Sequence, residues 1–216
     1  MPGYHVVVAI NRGRTMFMPE LALDRAMTVQ PEWMLAYGSV WIFALLPLFV
    51  VRDPALMRRF MLAALTVIGI AYAGFLAWPT VLPRPEIVGE GFFAASLKTN
   101  YALDPPYNCF PSLHVAWAFV AALTCHRVHR GVGVVALVWA SLIGVSTLFT
   151  KQHYVVDVIA GAAIAGAACL LLLRGYPPEA TTDADRRLAP KRALRAVWLY
   201  SGIVVALWGY GIVLRP

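Results

Sequence analysis

Val132 to Thr150 reads VGVVALVWASLIGVSTLFT, and Tyr154 to Leu173 reads YVVDVIAGAAIAGAACLLLL, with only Lys151, Gln152 and His153 between them. A helix needs about 20 mostly apolar residues to cross about 30 Å of hydrocarbon, and each run comes close to supplying them. The two runs therefore read as consecutive membrane crossings. The polar residues at their junction, His153 and Asp157 above all, stand where polarity is costly.

Working outward, four more apolar runs appear at roughly 33 to 51, 59 to 78, 112 to 126 and 195 to 214, the third being short. Helix breakers separate them: Asp53-Pro54, Pro79 and Pro83, Gly131 and Gly133, and Gly175-Tyr176-Pro177-Pro178. The expected fold class is all-α, a polytopic membrane protein of about six transmembrane helices. Residues 1–216 read as one integral membrane domain, with an interfacial amino-terminal segment over 1–30 and a six-helix bundle over 33–214. In the amino-terminal segment Met16, Phe17, Leu21, Leu23 and Met27 are expected to dip into the headgroup layer beside Arg12, Arg14 and Arg25. Val6 to Ile10 is too short an apolar core for a cleaved signal peptide. Residues 179–192 read as a polar, charged loop.

Composition agrees. Of the 216 residues 60% are hydrophobic and 13% charged, against roughly 45 to 50% apolar in an average soluble domain. The net charge of +7 comes from short clusters of Lys and Arg between apolar runs, which suits membrane topology and anionic headgroups; no nucleic-acid partner is expected. Eleven cations fall on one face of the bundle and seven on the other. The positive-inside tendency makes the first face cytoplasmic and puts the second, with the polar junction, on the extracytoplasmic side. Three cysteines without a C-x-x-C pair form neither a disulfide framework nor a structural metal site. Gly161, Ala162, Ala163, Ala165, Gly166, Ala167 and Ala168 crowd the fifth helix; bundle packing is the favoured account of them and a homodimer face the alternative.

The chemistry gathers at one face. His114 follows Pro111-Ser112 at the start of the third run, and one crossing down and one back separate it from His153, so the two histidines share a side of the membrane. His153 and Asp157 are four apart and meet on one helical face. Asp157 is expected to accept from one ring nitrogen of His153, leaving the other free as a nucleophile, while a protonated His114 serves as general acid. Ser112 is a candidate N-cap whose helix offers free N–H groups to an anion. Arg84, Ser146 and Lys151 complete a candidate phosphate site, Arg84 through its bidentate fork. Residues 86–108 contain no decodable motif, yet Asp104, Tyr107 and Asn108 within them are candidate headgroup contacts.

Pro111-Ser112-Leu113-His114, then Ser146, His153 and Asp157, resemble the second and third signatures of the phosphatidic acid phosphatase type 2 superfamily, written P-S-G-H and S-R-x5-H-x3-D. Arg84-Pro85 resembles the end of its first signature, K-x6-R-P. The resemblance covers residues 77–161 in order and spacing. It implies a helical core, a phosphohistidine on His153, leaving-group protonation by His114 and no metal or other cofactor. The substrate it implies is a lipid phosphate in the bilayer.

Three positions depart from the pattern: Ala77 replaces the first lysine, Thr147 the arginine of the third signature and Leu113 the glycine. Thr150 to Asp157, with Tyr107 to Phe110, is more similar to the branch of inositol phosphorylceramide synthases and other sphingolipid phosphotransferases. The activity expected is phosphoryl hydrolysis or transfer on a lipid. The competing readings are a metal-dependent hydrolase with His114, His153 and Asp157 as ligands, and a non-catalytic scaffold or transporter.

Overall fold

A computed structural model describes residues 2–213, and its regular structure is helical throughout. The helices are α1 (Pro2–Asn11), α2 (Ala22–Ala26), α3 (Met34–Gly38), α4 (Val40–Phe43), α5 (Leu46–Val50), α6 (Pro54–Ala77), α7 (Phe92–Leu103), α8 (Leu113–Val128), α9 (Arg130–Phe149), α10 (Val155–Leu172) and α11 (Asp183–Val213). Among the described residues α6, α9, α10 and α11 are long and apolar enough to cross a membrane, and α8 is a shorter apolar helix. This is an all-α membrane protein.

Two expectations need correction. The first apolar run is not one helix but the pieces α3 to α5, led in by a 3-10 turn over Pro31–Trp33. Pro47 has no N–H to continue the ladder, and Ser39 Oγ donates back to the Ala36 carbonyl at 2.6 Å, which loosens the turn. The segment still packs inward through Val40, Leu46 and Val50. Residues 183–192 are helix rather than loop. Thr182 Oγ1 accepts from Asp185 N at 3.1 Å and donates to its carboxylate, Asp183 and Asp185 sit at the positive helix end, and Asp185 pairs with Arg192 at 2.7 Å. Residues 86–108, without a motif in the sequence, contain α7.

The amino-terminal segment is held to the bundle by specific bonds. In α1, Val7 packs with Ala71 and Phe75 of α6, and buried Asn11 donates to the Phe75 carbonyl at 2.8 Å. Beyond it Phe17 makes backbone bonds with Pro79 and Val81. Phe17, Met18, Leu21 and Leu23 remain exposed, whereas Met16 and Met27 are half-buried.

The core is built from small side chains at the contacts of α6, α8, α9 and α10, among them Ala63, Val67, Ala116, Ala140 and Ala165. Two glycines set how closely backbone approaches helix. A Cβ on Gly161 would overlap the Ser112 carbonyl oxygen, and one on Gly74 would stand 2.6 Å from Pro111 Cδ. The Pro111-Ser112 turn is thereby wedged between α6 and α10 with no room for a methyl group. Part of the small-residue surface of α10 is consumed in this packing, while Gly166 faces open space.

Candidate active site

Two tight turns hold the histidines. Ser112 caps α8, its Oγ accepting from Val115 N at 3.3 Å, as its position before the apolar run predicts. Its own N–H donates to the Asp157 carbonyl at 3.0 Å, which binds the start of α8 to α10. At the other turn Lys151 adopts φ 51°, a left-handed conformation costly for a lysine. The Thr147 carbonyl then accepts from both Gln152 N (2.8 Å) and His153 N (3.2 Å). Thr147 stands where the resembling signature has arginine. Its side chain is fully buried and bonded to the Gly144 carbonyl, so no cation reaches the site from there.

The crossing argument holds: His114 Nδ1 and His153 Nε2 are 3.2 Å apart. His153 Nδ1 lies 2.8 Å from the Cys109 carbonyl oxygen and 3.5 Å from Asp157 Oδ2. The carboxylate expected to orient His153 therefore shares that task with a backbone carbonyl, which is the nearer partner. Asp157 is fully buried, and its Oδ2 also accepts from Tyr154 N at 2.8 Å, closing the first turn of α10. At the far side of the pair, Tyr37 Oη lies 3.2 Å from His114 Nε2.

One carbonyl fixes the polarity of this chain. The Cys109 oxygen can only accept, so Nδ1 of neutral His153 carries the proton and Nε2 presents its lone pair. His114 Nδ1 must then donate to that lone pair, and the Tyr37 hydroxyl must donate to His114 Nε2. The lone pair of one histidine faces the proton of the other across a single hydrogen bond, an arrangement able to serve both attack on an electrophile and protonation of its leaving group.

The other candidates are placed less directly. Arg84 donates from one terminal nitrogen to the Lys151 carbonyl and lies with its guanidinium 5.0 Å above the Tyr101 ring. Its Nε is a buried donor without a partner among the described residues. Lys151 Nζ is engaged with the Asp24 carbonyl at 2.9 Å, and Ser146 Oγ turns back to its own helix at the Ile143 carbonyl. Asp104 accepts from the Tyr4 hydroxyl at 2.9 Å, and the Tyr107 carbonyl accepts from the same group. Asn108, at φ 59°, accepts from Asn11. The three candidate headgroup contacts are thus tied to α1. Among the described residues no three His, Cys, Asp or Glu side chains gather as a metal ligand set, His114, His153 and Asp157 included.

Sequence reasoning missed Tyr37, the Cys109 carbonyl and Asp24. Asp24 is buried in the amino-terminal segment, accepts from Val155 N at 2.9 Å and so caps α10 from a distant part of the chain. Burial pushes the Cys109 thiol up to about 12, with Asp157 and Asp104 adding to the shift. The Tyr101 hydroxyl, also raised to about 12 by burial with Arg84 opposing, donates to the Thr150 carbonyl at 2.8 Å. An apolar cavity of about 720 Å³ lies elsewhere, between α3 to α5, α9 and α11. It is lined by Leu35, Ser39 and Phe43, whereas Tyr37 and Trp41 face His114.

A family profile described as PAP2 superfamily matches residues 16–171, the stretch that holds both histidine turns and Asp24. The chain belongs to the PAP2 superfamily. It is also 28% identical over 135 residues to a PA-phosphatase related-family protein of Dictyostelium discoideum, a match covering 57% of this chain. The chain spans about a quarter of that relative's length, 24%. No solved structure matches. Membership of the PAP2 superfamily accounts for the order of the signatures along the chain.

Proposed function

We propose that this PAP2 protein transfers or hydrolyses the phosphoryl group of a lipid phosphate through a covalent phosphohistidine on His153. The observation that supports it most is the 3.2 Å approach of His153 Nε2 to His114 Nδ1, with the opposite edge of His153 held by the Cys109 carbonyl and Asp157. In the first half-reaction His153 Nε2 attacks phosphorus as the ester P–O bond breaks, and the leaving oxygen takes the Nδ1 proton of His114. In the second, water or an acceptor alcohol gives its proton to His114 and displaces His153 from phosphorus. Asp157, buried beside the ring, stabilises the cation that His153 becomes. No resident metal takes part in this scheme.

Arg84, with its free buried Nε, and the N–H groups at the start of α8 are the donors for phosphate oxygens. Lys151 and Ser146 serve by shaping the turn. The acceptor and headgroup are read by the region where α1 and α7 meet the Asp104 to Asn108 loop. Similarity of Thr150 to Asp157 to sphingolipid phosphotransferases favours transfer, whereas the family's phosphatase chemistry favours hydrolysis. The site faces the extracytoplasmic side. Incubating the purified protein with labelled phosphatidate, with and without an acceptor lipid bearing a free alcohol, and separating the products by thin-layer chromatography tests both outcomes. Neither free phosphate nor a new phospholipid appearing would contradict the proposal.

A further inference from the structure

We propose that Tyr37 is a positioning residue for His114, its hydroxyl keeping Nδ1 as the nitrogen that exchanges protons with substrate. This rests on His114 being the proton donor of the preceding scheme. Tyr37 belongs to no signature; it sits on the broken first segment, 77 residues away in sequence. It is nevertheless almost fully buried, at 1% exposure. Its ring packs against the His114 ring at a centroid distance of 5.2 Å, with Trp41 at the ring edge, 6.1 Å away. Among the described residues the two ring nitrogens of His114 have one hydrogen-bond partner each, His153 at Nδ1 and Tyr37 at Nε2.

A histidine that acts as acid in one half-reaction and base in the next must use the same nitrogen both times, because only one faces the substrate. The other nitrogen must then stay protonated throughout turnover. A hydroxyl suits that requirement, since rotation makes it donor or acceptor. At rest it donates to the Nε2 lone pair, and one proton taken up from bulk water at Nε2 charges the ring before the first turnover. Once His114 is cationic, Nε2–H donates to the Tyr37 oxygen and Nδ1–H points at the leaving group. The leaving oxygen takes the Nδ1 proton as the ester P–O bond breaks and the bond from His153 Nε2 to phosphorus forms. Neutral His114 is left with its proton on Nε2, still held by Tyr37, and a lone pair on Nδ1. The incoming water or alcohol then gives its proton to Nδ1 as its oxygen bonds to phosphorus and the N–P bond breaks. His114 ends as the cation that began the cycle. Without the hydroxyl, the Nε2 proton loses its one acceptor among the described residues, and neutral His114 can take the other tautomer, which is useless as a base.

The test is rapid-quench measurement of phosphoenzyme formation by the full chain in lipid nanodiscs, from phosphatidate and from 4-nitrophenyl phosphate. The nitrophenolate leaves without a proton, so its step does not need the acid. Tyr37→Phe is expected to slow phosphorylation from phosphatidate by about tenfold or more while slowing the nitrophenyl reaction by less than about threefold. Equal slowing on both substrates would make Tyr37 merely structural and overturn the inference, as would no slowing on either. His114→Ala run in parallel should show the same selectivity more strongly. If it does not, the acid assignment itself falls and this inference with it. A second reading needs no variant: ring 15N shifts of His114 in the resting wild-type protein should report a proton on Nδ1, and a proton on Nε2 instead would overturn the proposal.

Discussion

The Cys109 carbonyl oxygen stands 2.8 Å from His153 Nδ1, nearer than Asp157 Oδ2 at 3.5 Å. The hold on the Nδ1 edge of the ring is therefore divided between two groups. The loop that supplies the carbonyl is itself fixed by Thr80, whose buried hydroxyl oxygen accepts from Cys109 N and Phe110 N, each at 2.9 Å.

This division predicts the behaviour of Asp157→Asn. The carbonyl keeps the Nδ1 proton in place, so the ring retains its tautomer, but the anion opposing the developing cation is gone. We expect phosphoenzyme formation to fall on the order of a hundredfold or more, equally for phosphatidate and nitrophenyl phosphate, by analogy with other carboxylates that orient a catalytic histidine. A loss below about tenfold would mean that the carbonyl alone suffices.

Asp24 ties the amino-terminal segment to the turn that carries His153. One carboxylate oxygen accepts from Val155 N at 2.9 Å and the other from Leu21 N at 2.8 Å, while its carbonyl holds Lys151. Asp24→Ala leaves the first turn of α10 short of an acceptor. We expect a cost of about 1.5 to 3 kcal/mol in thermal or denaturant unfolding in detergent, as for other charged hydrogen bonds, with activity falling on every substrate alike. Unchanged stability would show that water or lipid replaces the bond.

The helix crossing makes a sharper claim. Gly161→Ala must push the Ser112 carbonyl away and move His114 with it, whereas Gly166→Ala meets nothing within 4 Å. The first variant is expected to lose most activity while keeping its helical content by circular dichroism, and the second to retain activity. Equal tolerance of both would contradict the close approach of α8 and α10.

Orientation can be read by cysteine labelling. All three native cysteines are buried, and burial holds the Cys109 thiol far above neutral pH, at about 12. Its reactive thiolate is absent from the folded protein at pH 7 to 8, so the native background should be near zero until denaturation. New single cysteines beside Asp104 and Lys151 should then react from outside intact cells with an impermeant reagent, and one beside Arg187 should not. The reverse pattern would put the site in the cytoplasm.

The proximity of His114, His153 and Asp157 was legible because its signal is local: a carboxylate four residues after a histidine, and a capped helix start, survive any rearrangement of the rest. Counting crossings then placed His114 opposite His153 without coordinates. Tyr37 and Asp24 were not legible, since each acts through one contact across a long stretch of sequence, and a lone tyrosine or aspartate has no periodicity to betray it. The Cys109 carbonyl belongs to the backbone and leaves no mark on residue type. Hydrophobic runs located α6, α8, α9 and α10 to within a few residues, but they could not show that Pro47 and Ser39 break the first run. The stretch 183–192 failed differently: its charges read as loop, although they are capping and ion-pairing charges of a helix.

The central claim is that His153 becomes covalently phosphorylated, and trapping the phosphoenzyme tests it most directly. Quenching the protein during turnover of 32P-labelled phosphatidate should leave acid-labile, base-stable label on wild type, the stability expected of phosphohistidine, and none on His153→Ala. Label persisting on His153→Ala, or turnover by that variant at near wild-type rate, would contradict the account.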